Sequence, residues 1–148
     1  MKQLIVFLFI GIGWGVNGQS AHYNTKKGFA AEGYDVVAYF NGSAKEGSKT
    51  YVTTNDNVKY TFSNQQNLEA FLKDPDRYKP QYGGYCAYAM AFSGKKVSIN
   101  PETFEIRDGK LYLFYNSGRN NTLDSWKKES PNALIVQADK NWIKINKN

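Results

Sequence analysis

The chain has 148 residues, of which 41% are hydrophobic and 16% aromatic, and a formal net charge of +6 at pH 7. This length fits one domain with a core of its own, and a lone cysteine excludes an internal disulfide framework. A lone histidine excludes a multi-histidine zinc site within one chain. The lysines are scattered and no recognised binding motif is present, so a nucleic-acid partner is not expected.

Residues 1–18 have the layout of a secretory signal peptide. A lysine precedes a largely apolar run at residues 4–12, and small residues follow up to Gly18. The apolar run is well short of the roughly 20 residues that a spanning helix needs. We therefore expect cleavage after Gly18, export to the periplasm or the medium, and no transmembrane span in the mature chain. Residues 19–30 show no periodicity and are interpreted as an N-terminal extension.

The next segments predict a turn and a hairpin. "EGYDVVAYFNG" fits either a strand or a short helical turn capped by Asp35, because an aspartate accepts hydrogen bonds from free backbone N–H groups. Residues 51–54 and 58–62 are β-branched and aromatic runs around "NDN". This pattern is typical of a β-hairpin.

A helix is predicted after this hairpin. Ser63 and Gln66 have the spacing of a capping box, and Pro75 should end the helix. "DPDRYKP" then indicates a tight turn or one helical turn. Apolar residues at helical spacing predict a side that packs in the core: Leu68, Phe71 and Leu72.

The second half predicts another hairpin and two helices. Residues 104–106 and 110–115 flank "RDG", a hairpin turn signal. Residues 122–129 and 131–145 have helical spacing of apolar side chains. No internal repeat or domain boundary is evident in the sequence. The fold class expected is α+β: one small domain with two β-hairpins in a mostly antiparallel sheet, packed against several short helices.

"QYGGYCAYAMAF" contains the single cysteine. If the glycines mark a helix start, Cys86 lies in its first turn, where free N–H groups favour a thiolate. Met90 lies one turn later, and His22 from the extension could approach; these three are the candidate ligands of a copper or other transition-metal ion. Cys86 is alternatively a small buried hydrophobe beside a space-filling methionine, or a redox-active or ligand-reactive thiol.

The tyrosines around this stretch suggest a ligand pocket as an alternative to plain packing. Phenolic hydroxyls and one carboxylate could orient a small ligand against apolar walls. Buried tyrosines equally serve as core residues whose hydroxyls bind backbone groups, and Asp35 equally serves as a cap. The candidate ligand-binding residues are Tyr34, Asp35, Tyr39, Tyr82, Tyr85 and Tyr88.

Four segments in this order resemble exported members of the YHS-domain family: "GYDVVAYF", "VKYTFSNQQNLEAFLKDPDRYKPQYGGYCAYAMA", "DGKLYLFYN" and "ADKNWIKI". The resemblance runs from Gly33 to Ile145 and implies a YHS-like domain at residues 31–146. Such domains are often found within or beside metal-handling proteins. This chain departs from the cysteine-rich relatives because it has no CxxC pair. The resemblance, the secretory signal and the placement of the thiol together favour an exported, non-catalytic binding domain in which Cys86 is a candidate ligand of a transition metal. The alternatives are a thiol-based protein and a structural or protein-interaction module.

Overall fold

The strands and helices follow each other in the order expected of an α+β domain. The computed structural model describes residues 22–147, so the predicted signal peptide and residues 19–21 lie outside the described part. The elements are β1 (Thr25–Lys26), β2 (Phe29–Ala30), β3 (Ser48–Asn55), β4 (Val58–Phe62), α1 (Gln65–Lys73), α2 (Pro75–Tyr78), α3 (Ala87–Ser93), β5 (Asn100–Arg107), β6 (Lys110–Phe114), β7 (Asn116–Ser117), β8 (Asn120–Asn121), α4 (Thr122–Lys128) and α5 (Pro131–Lys147). Short 3-10 turns lie at Ala31–Gly33, Ala38–Asn41 and Gln81–Gly84.

The first predicted hairpin is formed by β3 and β4, which pair antiparallel with a bulge between Ser48 and Val52. Asp56 and Asn57 make the turn with φ values of 50° and 64°. Two-residue hairpin turns need this left-handed geometry, which Asp and Asn tolerate. Residues 25–30 of the predicted extension form β1 and β2, and β2 pairs parallel with β4. This part of the extension therefore belongs to a four-stranded sheet in the order β1-β2-β4-β3.

The second predicted hairpin, β5 and β6, forms a separate two-stranded sheet. Its register repeats that of the first hairpin. The first pair, Ser48↔Phe62, corresponds to Asn100↔Phe114, and each later pair is likewise numbered 52 higher. The bulge follows this first pair in both hairpins. The structure thus contains a repeated unit where none is evident in the sequence.

Helix α1 begins beyond the predicted cap. Asn64 is the N-cap, and its side chain accepts a hydrogen bond of 2.8 Å from the Asn67 N–H. Ser63 lies one residue before this cap, and its hydroxyl and its N–H both donate to Asp35. The capping-box prediction is therefore wrong by one residue. The expected end of the helix before Pro75 is confirmed, and α2 is the single turn that "DPDRYKP" indicated.

The apolar side of α1 is narrower than predicted. Phe71 is fully buried and Leu68 is half-buried, whereas Leu72 is 56% exposed. The prediction that Leu72 packs in the core is wrong, because the sheet covers only the side of the helix around Phe71. Phe71 is the buried residue of this helix, and a fully buried large apolar side chain stabilises the fold by about 1.5–3 kcal/mol.

Both halves of the core are built around one helix aromatic between two strand aromatics. Phe71 lies with its ring centroid 4.6 Å from that of Tyr60 and 5.2 Å from that of Phe62. In the second half, Trp126 lies 5.6 Å from Tyr112 and 5.3 Å from Phe114. The first group belongs to one apolar cluster and the second to another, which α5 covers through Ala138 and its neighbours.

The fold class is the one predicted from sequence, α+β in a small single domain. The two hairpins are antiparallel, as expected, but they lie in different sheets. Among residues 22–147, no helix is both long and apolar enough to cross a membrane.

Candidate functional site

Cys86 lies at the start of α3, but its side chain points into the core. It is the N-cap residue of α3, and its N–H donates to the Val97 carbonyl at 2.9 Å. The side chain is 0% exposed, and its Sγ lies 3.3 Å from the Thr122 hydroxyl. That hydroxyl has one hydrogen, which it donates to the Tyr115 carbonyl at 2.8 Å. The Cys86 S–H is therefore the donor to Thr122.

The helix start differs from the one predicted at the glycines. Tyr82 and Gly83 have φ values of 56° and 61°, so they form a left-handed turn ahead of α3. A Cβ atom at Gly83 would overlap the His22 carbonyl and lie 2.9 Å from the Trp142 ring. The glycine is thus needed both for its φ and for the close approach of two other segments.

The three candidate metal ligands have different surroundings. Cys86 and Met90 are both fully buried, but Cys86 belongs to the apolar cluster around Phe71 and Met90 to the cluster around Trp126. The His22 side chain is exposed to solvent. Within the described residues, no group of three or more His, Cys, Asp or Glu side chains is arranged to hold a metal ion. The metal site stays a prediction.

Asp35 is the most heavily hydrogen-bonded side chain of the candidate site. It is 0% exposed. Its Oδ1 accepts from the N–H groups of Val37 at 2.9 Å and Ala38 at 3.1 Å, as predicted for a cap. Its Oδ2 accepts from the Ser63 N–H at 2.8 Å, the Ser63 hydroxyl at 2.7 Å and the Asn67 amide at 2.7 Å. The helical-turn interpretation of "VVAYF" is confirmed, and the carboxylate joins this turn to the start of α1.

Tyr39 and Tyr82 are buried, and both hydroxyls have protein partners. The Tyr39 hydroxyl donates to the Pro101 carbonyl at 2.6 Å, and the Tyr82 hydroxyl donates to Asp139 at 2.9 Å. Burial is the main cause that raises the pKa of both phenols above the ordinary value. Each phenol is therefore held neutral, as a structural donor.

The remaining candidate tyrosines are half-buried. Burial, followed by Glu102 and other nearby carboxylates, raises the pKa of Tyr34. The Tyr85 ring lies under the Lys96 ammonium at 5.9 Å. The Tyr88 hydroxyl donates to Glu129 at 2.7 Å, and this hydrogen bond is the first cause that raises its pKa.

The six candidate ligand residues do not surround one common apolar cluster. Tyr39 and Cys86 share a cluster, and Tyr34 and Tyr88 pack against it. Tyr82 belongs to the other cluster, around Trp126. The structure thus brings part of the predicted set together, as packed side chains with their polar atoms largely engaged.

Phe92 was not singled out in the sequence. Among the described large apolar side chains it is the most exposed, at 77%, and its ring stacks on Tyr88 with centroids 6.0 Å apart and planes 13° apart. The sequence signal was ambiguous, because "AYAMAF" is apolar throughout and does not reveal which side of a short helix faces solvent.

Glu105 is an acidic residue of β5 that is tied to the core. Its carboxylate accepts from the Trp126 indole N–H at 2.8 Å and binds Arg107 through two contacts of 3.0 Å. Burial acts to raise the pKa of Glu105, but the hydrogen bonds from Arg107 and Trp126 outweigh it and hold the pKa below the ordinary value. The arrangement orients Trp126 and positions no second carboxylate for acid–base chemistry.

No protein-family model, curated protein or solved structure matches this chain. The burial, contacts and charges of the residues above are therefore the basis for assigning a function.

Proposed function

We propose that this chain is an exported YHS-type domain that acts by binding and does not use Cys86 in catalysis. The resemblance of the segments between Gly33 and Ile145 supports the family, and the pattern of residues 1–18 supports export. The absence of a membrane-spanning helix among residues 22–147 is compatible with that proposal. The function is carried by the surface of the domain, with the single thiol retained for the fold.

The observation that carries the proposal is the burial of Cys86. A nucleophilic or redox-active cysteine reacts as an accessible thiolate, usually in a partly exposed and electropositive surrounding. Cys86 is 0% exposed, donates its S–H to Thr122 and belongs to an apolar cluster. A substrate could reach the sulfur only if the residues packed around it moved apart.

The two fully buried polar residues of the predicted ligand set support the same conclusion. Both oxygens of Asp35 are occupied by donors, and the Tyr39 hydroxyl donates to a backbone carbonyl. A general acid or base must have a polar atom that can reach the substrate. The polar atoms of these two side chains are engaged in hydrogen bonds within the fold, so both have a structural role.

Alkylation of the folded protein tests the proposal. Iodoacetamide should modify wild-type Cys86 only as fast as the domain unfolds, and modification should accelerate with urea in step with loss of structure. Cys86→Ser is the matched control for labelling at other sites. Native-state labelling at the rate of an unhindered thiol would overturn the proposal in favour of a thiol-based enzyme.

Titration with Cu(I) under reducing conditions tests the metal hypothesis separately. If Cys86 serves only the fold, wild type and Cys86→Ser should bind Cu(I) alike and more weakly than about micromolar, or about −8.2 kcal/mol. Tighter binding that is lost in both Cys86→Ser and Met90→Leu would replace the proposed role of Cys86 with metal binding. His22→Ala would show whether the exposed imidazole is the third ligand.

The second candidate is a protein-interaction module with Phe92 in the contact, and the exposure of Phe92 favours it. Phe40 precedes the left-handed Gly42 by two residues, as Phe92 precedes Gly94. Phe40 packs edge-on against Tyr78 at 5.1 Å, whereas the stacking partner of Phe92 is Tyr88 from its own helix. Phe92 is thus largely exposed at the position where Phe40 is half-buried against a residue of another element.

Photo-crosslinking tests this candidate. A photoreactive phenylalanine analogue at position 92 should give a defined adduct in the exporting cell, identified by mass spectrometry. The same analogue at Ile143, which is 52% exposed on α5, is the matched control. Equal adducts from positions 92 and 143, or none from either, would contradict a contact centred on Phe92.

A further inference from the structure

The two halves of the domain repeat more than the hairpin. In each half a left-handed glycine, a tyrosine, a buried residue, a short helical segment and a second left-handed glycine come before the hairpin. These are Gly33, Tyr34, Asp35, Ala38–Asn41 and Gly42 in the first half, and Gly84, Tyr85, Cys86, Ala87–Ser93 and Gly94 in the second.

The backbone contacts of the two buried residues also correspond. The Asp35 N–H donates to the Lys45 carbonyl at 2.8 Å, and the Cys86 N–H donates to the Val97 carbonyl at 2.9 Å. Both residues follow a tyrosine with nearly the same conformation, φ −78° and ψ 151° in one case and φ −77° and ψ 161° in the other. Asp35 and Cys86 thus occupy equivalent places in the chain path.

Their side chains then reach equivalent places on the next helix. Asp35 accepts from Asn67 of α1 at 2.7 Å, and Cys86 contacts Thr122 of α4 at 3.3 Å. Asn67 and Thr122 each stand four residues before the helix aromatic that lies between two strand aromatics. The same turn-to-helix link is therefore made once by a carboxylate and once by a thiol.

We infer that the domain consists of two copies of one turn–hairpin–helix unit, and that Cys86 has in the second copy the role that Asp35 has in the first. The first unit spans residues 33–73 and the second residues 84–128. This inference rests on the shared register, the bulge, the glycine positions and the aromatic triplets. It does not depend on any proposed function. Cys86 is a positioning residue that holds the start of α3 against the start of α4.

Native-state amide hydrogen exchange tests this role, with two shape-conserving substitutions in matching places. Thr122→Val removes the hydroxyl that Cys86 contacts, and Asn67→Leu removes the amide that Asp35 contacts. Thr122→Val should lower protection in α3 and in the first turn of α4 by about tenfold, because its hydroxyl takes part in two hydrogen bonds, a weak one from Cys86 and one to the Tyr115 carbonyl. Asn67→Leu should do the same in Ala38–Asn41 and α1. Thr54→Val, on the exposed side of β3, is the control.

Cys86→Ala separates the link from the other contact of Thr122, its hydrogen bond to the Tyr115 carbonyl. This variant should lower protection in α3 and α4 together, and adding Thr122→Val should have a smaller effect than it has alone, because both remove the same contact. Effects confined to the substituted helix, or strictly additive effects, would overturn the inference. If Cys86→Ala does not fold, the pattern in Thr122→Val alone decides.

Discussion

Replacing Asp35 by asparagine keeps the size of a fully buried side chain and exchanges one of its two acceptor oxygens for an NH₂ group. If the remaining oxygen faces Ser63 and Asn67, the new NH₂ group points at the N–H groups of Val37 and Ala38, which now bind Oδ1 at 2.9 and 3.1 Å. Two acceptor contacts become donor–donor contacts. The opposite orientation is worse, because Oδ2 accepts three hydrogen bonds.

The magnitude follows from these two lost contacts. A hydrogen bond to a charged group contributes about 1.5–3 kcal/mol, so we expect Asp35→Asn to lower the free energy of unfolding by about 3–6 kcal/mol. Domains of this size are stable by about 5–15 kcal/mol, so the variant should fold but melt roughly 10–20 °C lower. Urea unfolding followed by tryptophan fluorescence, together with a thermal melt, measures both quantities.

The matched control is Asp124→Asn, the same change on the exposed side of α4, which should cost less than about 1 kcal/mol. A loss below about 1 kcal/mol in Asp35→Asn would refute the reasoning. It would mean that the turn and α1 are held together without the carboxylate. A large loss of stability in Asp124→Asn would equally show that the charge change controls stability, and not the hydrogen bonds that Asp35 accepts.

Three further predictions concern strain and ionisation. Gly83→Ala should lower the free energy of unfolding by about 2–4 kcal/mol, because its Cβ would contact His22 and Trp142. The control is Gly118→Ala, which has a similar φ of 59° and nothing within 4 Å, so it should show only the roughly 1–2 kcal/mol of left-handed strain. Equal losses in urea unfolding would contradict the contact at Gly83. The pKa of Glu105 is held below its ordinary 4.5, so the stability that its carboxylate contributes is present above pH 4.5 and is lost as pH falls through the lower folded pKa. Glu105→Gln should therefore be less stable than wild type at neutral pH and should lose less stability on acidification. Parallel acid-unfolding curves of the two proteins would contradict this. Desolvation raises the pKa of Tyr112 to about 12 and also raises the pKa of Tyr39. The stability that these neutral phenols contribute is therefore fully present below about pH 10 and is lost as pH rises further. Phenolate absorbance of the buried tyrosines should appear together with unfolding, and its appearance in the folded domain would refute the assignment.

Local sequence patterns were sufficient to predict the hairpins and the end of α1. "NDN" and "RDG" supply residues that tolerate positive φ, and the structure has Asp56, Asn57 and Asp108 in that conformation. Pro75 ends α1 because proline restricts the residue before it. These features depend on neighbouring residues alone, so a single sequence contains them.

Long-range contacts account for what the sequence did not reveal. The spacing of Ser63 to Gln66 predicts a cap at Ser63. The Ser63 hydroxyl instead donates to Asp35, 28 residues earlier in the chain. Leu72 has helical spacing to Leu68, but the sheet does not extend over it. The repeat was hidden because what recurs is backbone register and the place of aromatics, while the linking pair changes from Asp35 and Asn67 to Cys86 and Thr122.

The difference between the two linking pairs accounts for a thiol at position 86. In the first half a carboxylate fits because five donor groups converge on Asp35. In the second half the Thr122 hydroxyl already donates to Tyr115, so it offers Cys86 an acceptor only. A carboxylate there would be buried without that donor, at a cost of several kcal/mol, whereas a thiol is a weak donor that also packs as a small apolar group. Position 86 thus requires a buried side chain that donates one weak hydrogen bond and otherwise fills space, and cysteine meets both requirements.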